Sequence, residues 1–284
     1  MMKKGICKLV AASVLACAAS ASQAMIVEAW KYTVDMNWVT DATVFSENTA
    51  PATYSTTSTP TLLSWGHKMG LDDYLLGSGA MGSQMRSSLK ITSPRGEGWF
   101  YTGSGVSSVN IFRHTNNSLA AASPALKEAT LRVSVNLTPF FNTVPVETLT
   151  KDFKVYFYET PNIGGTCSWG PCNDDLFAFV VMPRIYDVFT YDGYEYTFNY
   201  FQTSGPNAIM QFGADVCSEL SGGVLTTSCY GFKTAESAQT TIQFGFSVTA
   251  TPVVPEPETY VMLLAGLGLV GAVVSRRRDT IRHS

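Results

Sequence analysis

A period of two runs through the middle of this 284-residue chain and constrains its fold more than any other feature. Trp30, Tyr32, Val34, Met36 and Trp38 alternate with Lys31, Thr33, Asp35 and Asn37, so an extended segment carries large apolar side chains on one face and polar ones on the other. The alternation returns at Leu131, Val133, Val135 and Leu137, at Phe153, Val155 and Phe157 (between Lys154, Tyr156 and Tyr158), and at Ile242, Phe244, Phe246 and Val248. Each stretch reads as a half-buried antiparallel strand. Tyr191-Asp192-Gly193-Tyr194 reads as a tight hairpin turn, because Asp-Gly tolerates positive φ. Residues 176–182 are continuously apolar and read as an interior strand covered on both faces. Only residues 123–129 suggest a turn of helix. The expected fold is all-β, an antiparallel β-sandwich of jelly-roll type. Residues 46–60, rich in Thr, Ser, Ala and Pro, read as an exposed, mobile loop, and residues 96–108 as a second loop enclosing a short strand at Trp99, Phe100 and Tyr101.

The two ends have different chemistry. Residues 1–24 place Lys3, Lys4 and Lys8 ahead of an apolar stretch that closes on Ser22-Gln23-Ala24, the pattern of a signal peptide handled by the Sec translocon and signal peptidase. A lipoprotein reading at Cys17 is the alternative. At the other end, residues 251–259 form a stiff Pro/Glu linker and residues 260–275 an apolar run. Arg276, Arg277 and Arg278 open a basic tail over residues 276–284. With its flanking residues the run is about 17 residues long, the lower limit for a transmembrane helix, and the arginines mark its far side as cytoplasmic. The exported body is then residues 25–250.

Without its ends the chain changes charge. Three lysines fall in the leader and four arginines at or beyond residue 276, leaving 12 of the 19 basic residues, while Glu256, Glu258 and Asp279 remove three of the 22 acids. The body carries a formal charge of −7, which argues against a nucleic-acid partner. Four cysteines remain in it, as two near pairs, Cys167 with Cys172 and Cys217 with Cys229. In an oxidising compartment they read as disulfides, of three possible connectivities, and the short separations favour the sequential one. A four-cysteine zinc site is the competing reading, but its spacers are usually two residues long.

The tail resembles the PEP-CTERM sorting signal of Gram-negative bacteria, carried by Pro255-Glu256-Pro257, the single apolar span and Arg276-Arg277-Arg278. The resemblance implies recognition by an exosortase-type membrane peptidase, transient anchoring in the inner membrane, cleavage near the Pro-Glu-Pro, and delivery to the surface of exopolysaccharide-producing cells. Within the body, Ile111-Phe112-Arg113-His114-Thr115-Asn116-Asn117-Ser118-Leu119, with Trp65-Gly66 before it and Glu159-Thr160-Pro161-Asn162 and Cys167 after it, resembles the Thr-His-x-Asn family of PEP-CTERM proteins. Arg113 stands where that motif has threonine, while His114 and Asn116 hold its second and fourth positions.

Candidate sites are sparse. No serine sits in a Gly-x-Ser-x-Gly elbow, no phosphate-binding glycine loop is present, and the sequence indicates no cofactor, metal or catalytic set. Asp72-Asp73 and Asp174-Asp175 are acid pairs suited to calcium or, more plainly, to solvated turns. His114 and Asn116 project to one face of an extended strand, but no carboxylate neighbours them in sequence. The expected role is fastening, with Asn116 and the His114 ring nitrogens tied to nearby backbone. Trp65, Trp99, Tyr101 and Trp169 lie outside the clearest alternating strands and are the candidates for an exposed glycan platform. The expected function is that of a non-catalytic surface or matrix protein with a structural or adhesive body. The alternative is an exopolysaccharide-binding module, and a secreted hydrolase is less favoured.

Overall fold

The computed structural model describes residues 25–68, 86–160, 165–253 and 262–273. The leader at residues 1–24, Asp72 and Asp73, Pro255-Glu256-Pro257 and Arg276-Arg277-Arg278 lie outside the described residues. The strands begin with β1 (Ala29–Trp38), β2 (Val44–Phe45), β3 (Tyr54–Thr59), β4 (Leu62–His67), β5 (Arg86–Ser93) and β6 (Arg95–Tyr101). They continue with β7 (Gly105–Thr115), β8 (Leu126–Pro139), β9 (Glu147–Tyr158), β10 (Thr166–Cys167), β11 (Gly170–Pro171) and β12 (Asp175–Phe179). The last are β13 (Ile185–Tyr191), β14 (Tyr194–Gln202), β15 (Met210–Phe212), β16 (Cys229–Thr234) and β17 (Gln239–Pro252), and among the described body residues one α-helix, α1 (Ala214–Leu220), follows β15. The chain is all-β, in two large curled sheets, one ordered β15-β16-β12-β9-β8-β1-β6 with β2 beside β8, the other β13-β14-β17-β7-β5-β4-β3, with β10-β11 as a separate two-stranded ribbon.

The described residues divide into two compact units, those within 27–189 and 196–250, and those within 25–26, 190–195, 251–253 and 262–273. In the first, the period-two stretches pack as the sequence implies. Leu131, Val133, Val135 and Leu137 of β8 are buried, as are Ile242, Phe244, Phe246 and Val248 of β17, while their alternates, Gly245 apart, are not. Facing side chains meet between the sheets, Trp30 against Tyr196 at 5.0 Å and Tyr32 against Phe246 at 4.9 Å between ring centroids. Each fully buried large apolar side chain of this kind contributes about 1.5–3 kcal/mol. In the second unit the hairpin turn is as expected, with φ of 47° at Asp192 and 76° at Gly193, and Val253 N donates to Gly193 O.

β12 is covered on both faces. Phe177 and Phe179 point between the sheets toward Phe112, while Leu176 and Ala178 point outward into a cluster closed by Val216, Cys217 and Leu220 of α1. The strand is shorter than the apolar run that announces it, since Val181 and Met182 are exposed. The helix also lies elsewhere than expected. Residues 126–129 begin β8, where Leu126 and Ala129 are inward and pair across the ladder, and the body helix forms instead where Val216, Cys217 and Leu220 share one face.

Two expected loops contain strands. Within residues 46–60, β3 is an edge strand paired with β4 from Tyr54 opposite His67 to Thr59 opposite Leu62. A half-exposed edge needs no apolar period, so its Thr and Ser run hid it. Residues 96–108 contain most of β6 and the start of β7. Gly96 is required there, because a Cβ would stand 2.7 Å from Val109 O.

Residues 262–273 form a helix, α2, whose side chains are exposed. At about 18 Å it is shorter than a hydrocarbon core of about 30 Å, and among the described residues no helix is long and apolar enough to cross a membrane. The expected span over residues 260–275 is thus described only in its centre, its flanks lying outside the described residues.

Candidate functional site

The inward positions of β7 end in polar residues. Asn110, Phe112, His114 and, just past the strand, Asn116 are all fully buried, an arrangement that follows from the two-residue period. Asn110 is satisfied by Val34 O, Ser93 O and the Tyr200 hydroxyl. His114 is not: neither ring nitrogen has a partner, and the ring sits against Phe157 at 5.1 Å, Phe232 at 6.2 Å and Trp65 at 6.4 Å. The expected ties from its ring to backbone are absent. Asn116 does fasten the fold, donating from Nδ2 to Thr234 O at 3.0 Å.

Around His114 the fold assembles carboxyl groups from distant segments. Asp175, the first residue of β12, places Oδ2 3.9 Å from His114 Nε2. Glu159, just past β9, accepts from the Trp65 indole at Oε2, 2.8 Å. Thr160 donates to Asp175 Oδ1 from its amide at 3.0 Å and its hydroxyl at 3.3 Å. Glu236, in the turn between β16 and β17, completes the group; it is partly buried, yet both its oxygens are shielded from solvent.

Burial governs the protonation of this cluster. It depresses the His114 imidazole to about 3, so the ring is neutral and its approach to Asp175 is not an ion pair. Burial pushes the Glu159 carboxyl up to about 8, helped by the charge of Glu236 and opposed by the Trp65 N–H. Asp175 is raised well above the usual carboxylate range by burial and then by Glu159, against the Thr160 amide. Burial also raises Glu236, against a hydrogen bond from the Ser237 backbone. The Glu159 and Asp175 side chains are also hydrogen-bonded to each other, and Asn116 Oδ1 is a shielded acceptor without a partner. Among the described residues no three His, Cys, Asp or Glu side chains already stand close enough together to hold a metal ion. Asp174 points elsewhere, 3.6 Å from Lys233 Nζ.

The four aromatic residues singled out in the sequence do not form one surface. Trp65 is fully buried in the cluster just described, so it takes no part in an exposed platform. Trp169 is half-buried against Tyr158. Trp99 and Tyr101, alternate residues of the edge strand β6, are each 56% exposed and meet at 5.3 Å between ring centroids. Phe140 lies 6.3 Å from Trp99 and 5.3 Å from Phe141, which is 95% exposed, and the Lys31 ammonium stands 5.5 Å from the Phe140 ring. Phe140 and Phe141 escaped the sequence reading, although adjacent phenylalanines beside Pro139 at a strand end were the signal available. The cysteines form the two sequential disulfides, Cys167–Cys172 and Cys217–Cys229.

Residues 253–278 match the PEP-CTERM protein-sorting motif. The chain carries a PEP-CTERM sorting signal. The motif indicates an exported protein, sorted by an exosortase and passing through a membrane-associated stage. No curated protein matches the chain.

Proposed function

We propose that this PEP-CTERM protein is held at the cell surface or in the extracellular matrix of a Gram-negative bacterium, with a non-catalytic structural or adhesive body. The observation that carries the reading is a sorting motif placed directly behind a disulfide-stapled β body. The polar cluster of that body is sealed: His114 and Asn116 are fully buried and Asp175 is 1% exposed, leaving no open cleft at those groups for a substrate. Signal peptidase and the Sec translocon act at the leader. Residues 260–275 serve as a single transient inner-membrane anchor, and a jelly-roll is the sandwich type we assign. We also place the body with the Thr-His-x-Asn family, on the ground that Trp65, His114 and Glu159, all named by that resemblance, meet in one cluster. Mass spectrometry of surface and medium fractions tests the route. The external form is expected to lack residues 260–284; recovery of its Arg276-Arg277-Arg278 end would refute processing.

A carbohydrate-binding role is the second reading, favoured by the exposed rings of Trp99, Tyr101, Phe140 and Phe141, since aromatic faces stack on sugars. Exopolysaccharide retention assays on Trp99→Ala and Tyr101→Ala decide it. Unchanged retention in both variants leaves the body structural.

A further inference from the structure

We propose that Trp99, Tyr101, Phe140, Phe141 and Val144 form a membrane-docking surface, on which the body rests against a lipid bilayer while the chain is anchored. It rests on the transient anchoring by residues 260–275 and adds a contact made by the body itself. Exposure gives the first argument. Trp99 and Tyr101 are each 56% exposed, Phe140 38%, Phe141 95% and Val144 69%. The rings follow one another from Tyr101 to Trp99, Phe140 and Phe141, at 5.3, 6.3 and 5.3 Å between centroids. Single apolar side chains on a surface are ordinary, but a contiguous patch marks a place that something covers.

Position gives the second, independent argument. Ala29 of β1 pairs with Tyr101, and Phe140 N donates to Ala29 O, so the end of β6 and the loop from β8 to β9 stand side by side. The residues just after Tyr101 are bonded to β17, Gly103 N donating to Val248 O and Val248 N to Ser104 O. The patch therefore occupies the end of the sandwich toward which β17 runs as the chain departs for its sorting signal. Nine residues, 251–259, separate that exit from the apolar run, a reach of about 30 Å at full extension. During the membrane-associated stage that the sorting motif indicates, the end of the body that carries the patch is the end tethered to the bilayer.

The side-chain chemistry selects the occupant. Trp and Tyr join an apolar ring to one polar group and suit the headgroup level of a bilayer, while a lysine stem reaches back to the headgroups. Lys31 fits that last place, its ammonium 5.5 Å from the Phe140 ring and donating to Asn142 O at 3.3 Å on the loop that carries Phe141. Glu28 and Glu147 lie at the same end, so burial of apolar surface, and not attraction to anionic lipid, drives the contact. Successive rings are turned 88°, 69° and 87° to one another, which makes no flat platform for a row of sugars, whereas lipid conforms to an uneven apolar surface. While the anchor holds, the short linker keeps the patch at a high effective concentration at the bilayer; once the chain is cut, the patch alone gives a reversible hold and the body leaves.

The test uses the full-length chain reconstituted into phosphatidylcholine vesicles, with and without bromine on the acyl chains, since bromine quenches tryptophans that touch lipid. Residues 1–24 and 260–284 contain no tryptophan, so the signal reports the body. Wild type is expected to float with both kinds of vesicle and to lose emission in the brominated ones. Trp99→Phe, which keeps an aromatic ring in the patch, is expected to abolish that difference, and Trp169→Phe, at a half-buried position against Tyr158, to retain it. Phe141→Ser combined with Val144→Ser, at two of the most exposed apolar positions, is expected to lose most of it, and added salt to leave it unchanged. A chain that does not float overturns the anchoring and the docking together. A chain that floats with equal emission in both kinds of vesicle, or keeps the full difference in Trp99→Phe or in the double variant, overturns the docking alone. Trp99 emission untouched by bromine but shifted by added dextran would give the patch to a glycan instead.

Discussion

The indole N–H of Trp65 donates to Glu159 Oε2 at 2.8 Å, joining residues 94 positions apart. One partner lies on β4 and the other just past β9, so this bond ties one sheet to the other beside His114. Trp65→Phe keeps most of the ring volume and removes the donor, leaving an enclosed carboxyl short of a partner at a cost of about 1–3 kcal/mol. Urea unfolding measures the loss, and a variant as stable as wild type would show that the bond contributes nothing.

His114→Ala empties a fully buried position among Trp65, Phe157 and Phe232. The ring makes no hydrogen bond that alanine would forfeit, so the cost is that of a cavity, about 2–4 kcal/mol. A lowered urea midpoint with an unchanged m-value is expected. His114→Ala with a wild-type midpoint would mean that the ring is not packed as described.

Stability should depend on pH in both directions. The His114 imidazole falls from 6.5 to about 3 on folding, so between those values the unfolded chain binds more protons and stability rises with pH. The Glu159 carboxyl rises from 4.5 to about 8, so between those values the folded chain binds more protons and stability falls as pH rises. The two slopes oppose each other from 4.5 to 6.5, where the raised Asp175 and Glu236 act with Glu159. Below that window His114 dominates and stability is lost toward pH 3; above it Glu159 dominates and stability is lost toward pH 8. Each isolated slope approaches ~1.4 kcal/mol per pH unit. Thermal melts across pH 3–9 check this, and a Glu159→Gln variant should reduce the alkaline decline, the share of the raised Asp175 remaining.

Cys217–Cys229 joins α1 to the start of β16 across 12 positions, whereas Cys167–Cys172 spans only five. Loop-closure entropy makes the first worth about 3 kcal/mol and the second about 2 kcal/mol. Cys217→Ala with Cys229→Ala should therefore destabilise more than the other double variant, and it also opens the cluster that covers the outer face of β12. Equal urea midpoints for the two would contradict that ranking.

Trp99→Ala and Tyr101→Ala remove side chains that are more than half exposed, so each should leave the urea midpoint within about 0.5 kcal/mol of wild type. A larger loss would show that the aromatic pair secures the edge of β6 and is not free for a ligand.

What the sequence by itself determined is local. The alternation of β1, β8, β9 and β17 was readable because side chains on a strand point to opposite faces every second residue, whatever the strand pairs with. The Asp192-Gly193 turn, the sequential disulfides and the sorting motif were readable for the same reason, each lying within a few residues or one short segment. The tertiary structure decided the rest. β3 has no apolar period, since an edge strand is required only to pair, and Trp65 carries nothing in its neighbours to say that it is buried. Asn116, Glu159, Asp175 and Glu236 belong to four separate segments, with Asn116 bonded to a carbonyl 118 positions away. In the sequence Asn116 is the first of two asparagines, Asp175 half of an Asp-Asp pair, and Glu159 and Glu236 acids near strand ends, the usual places for solvated residues. Only the packing of β7 over β12 and the placement of β16 beside it bring these groups together and bury Asn116, Glu159 and Asp175, and that burial raises the two acids.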